Sequence, residues 1–227
     1  MTHSQQAFLA QRKRFEADMV ARYDIDAASY AAVSLLLAPL AVAVSLDKGD
    51  YLQRAGSPAR HVYWIISGIV CCGVNTPSGG DITAAFSIEG HNATPYHDLL
   101  QGASGLPALH SLTAETAVEA FRLDWDKVVA LRASHGVLDA YHLKVIEYML
   151  KQQSRRSHAQ YGASAQTRLA SFLRDYPGLE MRISQKTLSS YLEITPQYLS
   201  QLLNRGRRKD GPRQDSASSL PMARLMA

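Results

Sequence analysis

The sequence predicts an α+β chain: an N-terminal β-roll (jelly roll) with extra helices, one long helix, and a C-terminal helix-turn-helix. Three observations predict it. Between Val42 and Leu123, short β-favouring runs alternate with Gly and Pro, the pattern of an antiparallel sandwich or jelly roll. From about Val137 to Arg156, apolar residues recur at steps of three and four, the mark of a long amphipathic helix. From Arg182 to Lys209, two short helical patterns flank a tight turn.

The elements follow in order. Residues 5–23 space Phe8, Phe15, Met19 and Tyr23 at helical intervals and predict one amphipathic helix. A second helix is expected over about Asp26–Leu37, ended by Pro39. Strands are expected at Ala41–Leu46, Tyr51–Arg54, His61–Ile66, Ile69–Val74, Asp81–Ile88 and Ala117–Leu123. Ser78-Gly79-Gly80-Asp81 suits a hairpin turn, because Gly tolerates positive φ. The stretch His91–His110 reads as a loop. Asp124 is placed to cap a short helix. The long helix carries Leu138, Tyr141, Val145, Tyr148 and Gln152 as a heptad-like seam, with Ile146 and Met149 widening it. A sandwich offers such a helix little surface, so a second copy of the chain is the expected cover, with two-fold symmetry. A helix over 163–176 ends at Pro177-Gly178. Beyond Arg205 the chain is polar and aperiodic, which predicts a disordered tail. The expected units are 1–134 (sensor), 135–158 (dimerisation helix), 159–209 (helix-turn-helix) and 210–227 (tail).

Hydrophobic residues make up 46% of the 227, enough for a packed core. No apolar run is long enough to span a bilayer, and the charged N-terminus lacks the apolar core of a signal peptide. These features predict a cytoplasmic protein with no membrane partner. Cys71 and Cys72 are adjacent, which strains any disulfide between them; both read as ordinary strand residues. Charge is segregated. Residues 1–150 hold 11 basic and 15 acidic side chains, a net of −4, whereas residues 151–213 hold 12 and 4, a net of +8. An acidic front joined to a basic back is the electrostatic footprint of a nucleic-acid-binding module on a separate domain.

The segment RISQKTLSSYLEITPQYLSQLLNRGRRK (Arg182–Lys209) carries the chemistry. Ser184 is the expected N-cap of the first helix. Glu193-Ile194 makes the turn. Thr195 caps the second helix, and Pro196 sits where a missing N–H costs nothing. A helix entering the major groove aims its N-terminal residues at base edges. Here those are Thr195, Pro196, Gln197 and Tyr198, then Ser200 and Gln201 one turn on. Gln pairs with adenine through two bonds, and Ser or Thr serves as donor or acceptor. Asn204, Arg205, Arg207, Arg208 and Lys209 follow and suit phosphate, the dominant source of affinity. The expected partner is double-stranded DNA, and the chain is expected to be a regulator rather than an enzyme.

These residues resemble the Crp/Fnr superfamily of transcription regulators, the cyclic AMP receptor type. DKGDYLQRAGSPARHVYWIISGIV (Asp47–Val70) is similar to the start of that family's cyclic-nucleotide-binding β-roll. AETAVEAFRLDWDKV (Ala114–Val128) is similar to its last strand and the turn into the next helix. SQKTLSSYLEITPQYLSQLL (Ser184–Leu203) is similar to its winged-helix-like DNA module, with a degenerate wing here. The resemblance implies a homodimer, RNA polymerase as a further partner, and a small-molecule effector. It also implies that the effector is not cyclic AMP. The family's Gly-Glu position falls near His97-Asp98 and its Arg-Ser position near Ala108-Leu109, so the phosphate-holding arginine is missing. A buried phosphate without a cation is unfavourable. The expected effector pocket takes Phe86, Ile88, His97, Asp98, His110, Tyr141 and Tyr148, with Ile65 and the His91–His110 loop nearby. No cofactor is expected. A metal or haem would fall on His91, His97, His110 and Asp98, whose spacing fits no compact ligand motif. Two other readings are a ligand-independent DNA binder using the β-domain as scaffold, and a cupin-like metalloenzyme, which leaves the basic C-terminal region unexplained.

Overall fold

Short polar residues start the helices. Thr2 and Gln5 form a capping box at α1 (His3–Arg14). Helix α2 (Glu16–Tyr23) follows after a break at Phe15, so residues 5–23 form two helices rather than the expected one. Asp26 caps α3 (Ala27–Leu37), and a 3-10 turn carrying Pro39 ends it. The structure, a computed structural model, describes residues 1–75, 81–102, 104–160 and 162–209. The expected hairpin turn at Ser78–Gly80 and the expected tail at 210–227 lie outside the described residues.

Among the described residues, eight strands follow: β1 (Val42–Leu46), β2 (Tyr51–Gln53), β3 (His61–Ser67), β4 (Val70–Asn75), β5 (Asp81–Ser87), β6 (Asn92–Ala93), β7 (His110–Ala114) and β8 (Val118–Asp124). They make two four-stranded antiparallel sheets, in the orders β1-β8-β3-β6 and β2-β7-β4-β5. Helix α4 (Tyr96–Gly102) lies between β6 and β7. The stretch His91–His110 is therefore strand and helix where a loop was expected. Its elements are too short for periodicity to reveal.

Strands β3 and β8, at the centre of the first sheet, are buried on both faces, while edge strand β1 is largely exposed. Alternate residues of a strand point opposite ways. Tyr63 and Ile65 of β3 join Val118 and Ala120 of β8 inside the roll, with Leu52, Val70, Leu112 and Ala114 from the other sheet. Val62 and Trp64 join Phe121 and Leu123 on the outer face, against Phe8 of α1, Val33 and Leu37 of α3, and Trp125. This is why HVYWIIS reads as a continuous apolar run. Phe8 meets Phe121 and Trp64 edge-on, at 5.1 and 5.9 Å between ring centres.

Asp124 caps α5 (Trp125–Ser134) through Lys127 N–H. Helix α6 (Gly136–Gln160) is the long helix. Ser164 caps α7 (Ala165–Asp175), and the helix pair α8 (Gln185–Tyr191) and α9 (Pro196–Lys209) follows. Cys71 and Cys72 are free thiols, and burial pushes each up to about 12. Among the described residues, no helix is long and apolar enough to cross a membrane.

Gly68 turns the chain between β3 and β4 at φ +90, and a Cβ there would lie 2.1 Å from the Ala117 carbonyl oxygen. Gly56 also has positive φ, +83, but open space around it. Gly68→Ala is expected to cost at least ~2 kcal/mol, and Gly56→Ala about 1 kcal/mol, in denaturant unfolding. Equal costs would show that the close approach to Ala117 carries no weight.

Candidate nucleic-acid interface and sensor region

The C-terminal helix pair is set by its caps and by leucines. Ser184 Oγ accepts from Thr187 N–H at 3.0 Å and starts α8. Glu193 turns the chain at φ +52, and Ile194 N–H donates to the Ser189 carbonyl. Thr195 Oγ1 accepts from Tyr198 N–H at 3.2 Å and starts α9. Leu188 and Leu192 pack with Leu199 and Leu202 from α9, and with Leu169 and Phe172 from α7. Burying Leu199 and Leu202 fixes the opposite face of α9 outward. Thr195, Pro196, Gln197, Tyr198, Gln201 and Asn204 are exposed, and Ser200 is half-buried with its hydroxyl on Gln185 Oε1. Gln197, Gln201 and Asn204 recur at steps of four and three, so their amides line one side. The helix runs on through Arg205, Arg207 and Arg208 to Lys209, further than expected.

This unit rests on the β-roll. Phe86 of β5 stacks among Phe172, Tyr176 and Tyr191, with ring centres 5.1 to 5.9 Å away. Edge strand β5 is capped as well. Thr83 N–H donates to Ser190 Oγ at 3.0 Å, and Arg156 Nη2 donates to the Thr83 carbonyl at 3.0 Å. Arg182 pairs with Glu89 at 2.5 Å. Burial alone would raise the Glu89 carboxyl; the Arg182 guanidinium bonded to it holds it below its usual range. Ser184 N–H donates to Glu115 Oε1 at 3.0 Å.

The residues expected to share one effector pocket fall in three places. Phe86 and Ile88 pack against the helix-turn-helix unit. Tyr141 and Tyr148 meet Tyr23 edge-on at 5.7 and 5.5 Å. His97, Asp98 and His110 form the third group. Interleaved strand faces and the docked C-terminal helices separate these groups, so a single pocket from all seven is not formed.

Asp98, on α4, is fully buried. Its carboxylate accepts from Leu109 N–H (3.1 Å), His110 N–H (3.0 Å) and Gln53 Nε2 (3.1 Å), and His110 Nδ1 lies 3.1 Å away. His97, with a side chain 58% exposed, is 3.8 Å off. The family's phosphate cradle was placed by count at Asp98 and at Ala108-Leu109. Here the chain's own carboxylate occupies the N–H groups at that place. A second anion there would find these donors already taken. Among the described residues, no three His, Cys, Asp or Glu side chains gather to hold a metal ion.

The expected dimer seam is also corrected. Leu138 and Val145 are 2% and 1% exposed, covered by their own chain. Leu138 belongs to the sheet-facing core, and Val145 packs with Met19, Tyr23 and Tyr30. The first three helices supply the cover that a second copy was expected to give. Gln152 is half-buried. The side left free carries Leu143 and Leu150, 55% and 60% exposed, with half-buried Ile146 between them.

Sequence reasoning missed Arg12. It stands in the run Arg12-Lys13-Arg14, which reads as an exposed charge cluster. Yet it shares a stripe with Phe8, Phe15 and Met19 at steps of four, three and four, and that was the available signal. Arg12 is 3% exposed.

The two-sheet roll, the long helix and the docked helix-turn-helix together make a fold that this chain shares with several solved structures. Among solved structures, the chain is similar to FixK2 from Bradyrhizobium japonicum, with a TM-score of 0.62 and 16% identity over 74% of this chain and 85% of that one. It is similar to CLP of Xanthomonas campestris, a c-di-GMP responsive global regulator, with a TM-score of 0.60 and 14% identity over 79% and 92%. A CooA mutant from Carboxydothermus hydrogenoformans gives a TM-score of 0.59 and 17% identity over 75% and 78%. No protein-family model matches the sequence, and no curated protein matches it.

The Asp98 cluster predicts that calorimetric titration with cyclic AMP shows no tight binding. Micromolar binding would mean that the carboxylate leaves its four donors.

Proposed function

We propose that this chain is a sequence-specific, double-stranded-DNA-binding transcription regulator that acts as a homodimer. One observation carries the reading. Helix α9 buries Leu199 and Leu202 and turns Gln197, Gln201 and Asn204 outward, on the unit that holds the chain's positive charge. That face fits the major groove, with the amides reading base edges and the Arg205–Lys209 end at phosphate. The similar solved structures support the same assignment. RNA polymerase is proposed as a partner by the same likeness.

The proposed dimer uses the free face of α6. Asp139, Leu143, Ile146, Leu150 and Gln153 recur at steps of four, three, four and three, the heptad spacing of a two-stranded seam. Two copies meeting there place their α9 helices on two half-sites. An effector is proposed that changes this placement. It does not use the cradle that Asp98 fills.

Fluorescence anisotropy with a promoter fragment from the protein's own operon tests the interface. Binding is expected to weaken steeply with salt. Gln197→Ala is expected to cost about 1–3 kcal/mol of specific binding and to relax base preference, leaving the salt slope unchanged. Absence of salt-sensitive attachment to any duplex would remove the proposal.

Sedimentation tests the seam. Leu143→Glu combined with Leu150→Glu is expected to convert dimer to monomer without loss of helical content. Val145→Ala is expected to cost about 1–3 kcal/mol of folding stability with the dimer retained. Dimer retained in the double variant would return the interface to another surface.

A further inference from the structure

The outer face of the first sheet holds a buried cation without a counter-ion. Arg12 Nε donates to Ser34 Oγ at 3.0 Å. Its Nη2 is buried and has no hydrogen-bond partner. Among the described residues, Arg12 forms no ion pair. Its guanidinium carbon instead lies over aromatic rings: Tyr30 at 4.2 Å, Trp64 at 5.3 Å, Tyr141 at 5.7 Å and Phe8 at 5.8 Å. Those rings attract the charge, but they supply no in-plane acceptor for the fork of N–H groups.

Arg12 lines a cavity of about 50 Å³, together with Trp64, Tyr96, Trp125, Tyr141 and His142. That space holds about three to five waters, at roughly 10–15 Å³ each. It equally holds one carboxylate group with a carbon or two. Burial holds the His142 imidazole down to about 4, helped by Arg132. At neutral pH it is uncharged, and Arg12 is the buried cation at this wall. A buried guanidinium is well satisfied by a carboxylate, which brings the opposite charge and two lone-pair edges at fork spacing. The surrounding rings suit the apolar carbon behind it.

We propose that this cavity, between α1, α3, the β-roll, α5 and α6, is a binding site for a small carboxylate, held by the Arg12 guanidinium. The ligand joins α1 to α6 through Arg12 and Tyr141. Tyr141 lies on the inward stripe of α6, opposite the free face that carries Leu143. The site lies outside the roll and away from Asp98. It does not depend on the DNA-binding reading.

The chain has two tryptophans, Trp64 and Trp125, and both line the cavity. Intrinsic fluorescence therefore reports on this site, with no DNA present. Acetate is the probe, titrated against sodium chloride at constant ionic strength into the full-length protein. The expected result is a saturable change with a millimolar midpoint for acetate and none for chloride. Arg12→Lys keeps the charge and loses the fork, and is expected to weaken the midpoint about tenfold. Arg12→Met is expected to abolish saturation. Because either variant can disturb folding, a nuclear Overhauser contact between the acetate methyl and a tryptophan ring is sought in the unmodified protein. A linear, non-saturating response, an equal response to chloride, or no such contact at saturating acetate overturns the proposal. Failure of DNA binding with this titration intact would overturn the regulator reading alone.

Discussion

The structure depends on two central strands, β3 and β8, whose opposite faces are both buried. Strands β3 and β8 alternate apolar side chains inward to the roll and outward to the helices, so neither face can be left to water. The outward set, Val62, Trp64, Phe121 and Leu123, is large and aromatic. Phe8 fills the space between Trp64 and Phe121, and each edge-on pair adds about 0.5–1.5 kcal/mol beyond burial. This demand places α1 and α3 on the sheet, and with them Leu138 of α6. The N-terminal helices are thus part of the core of the β-domain.

From that placement the long helix acquires three distinct sides. Its inward stripe is consumed within the chain, at Leu138, Tyr141 and Val145. Its outward stripe, around Leu143 and Leu150, stays open. Its far end reaches the C-terminal unit, where the Arg156 guanidinium lies 4.3 Å from the Tyr191 ring centre and donates to the Thr83 carbonyl. One rigid element therefore touches the Arg12 cavity, the free face and the first helix of the helix-turn-helix. Packing and hydrogen bonds thus run without a gap along α6 from the Arg12 cavity to the C-terminal helix pair.

Much of this was legible in the sequence because it is local. Caps at Asp124, Ser184 and Thr195, the turn at Glu193, and most strands of the roll follow from neighbours within four residues. What was illegible depends on distant partners. The spacing of Leu138, Tyr141, Val145 and Tyr148 states that one face is covered, but period alone does not say by what. Packing on Tyr23 and Tyr30 has the same signature as packing on a second copy. Asp98 is satisfied by backbone groups 11 and 12 residues away, a closure no motif announces. The break at Phe15 has no Pro or Gly to mark it. Arg12 looks like surface charge until the sheet beneath it is known.

The contact between the two halves of the chain explains why the amide-bearing face of α9 is free in this arrangement. Docking uses α7 and α8: Phe172, Tyr176 and Tyr191 close around Phe86, and Ser190 meets the edge of β5. Helix α9 contributes Leu199 and Leu202 to the same core from behind, so its amide-bearing side points away from the roll. A swing of the C-terminal unit would uncover Phe86 and leave both polar groups of Thr83 without these partners. Intermediate positions lose the aromatic cluster before gaining anything. The unit therefore has a defined seat rather than a continuum of positions, and its displacement must be driven by a comparable gain elsewhere, at a ligand, a second copy or a duplex.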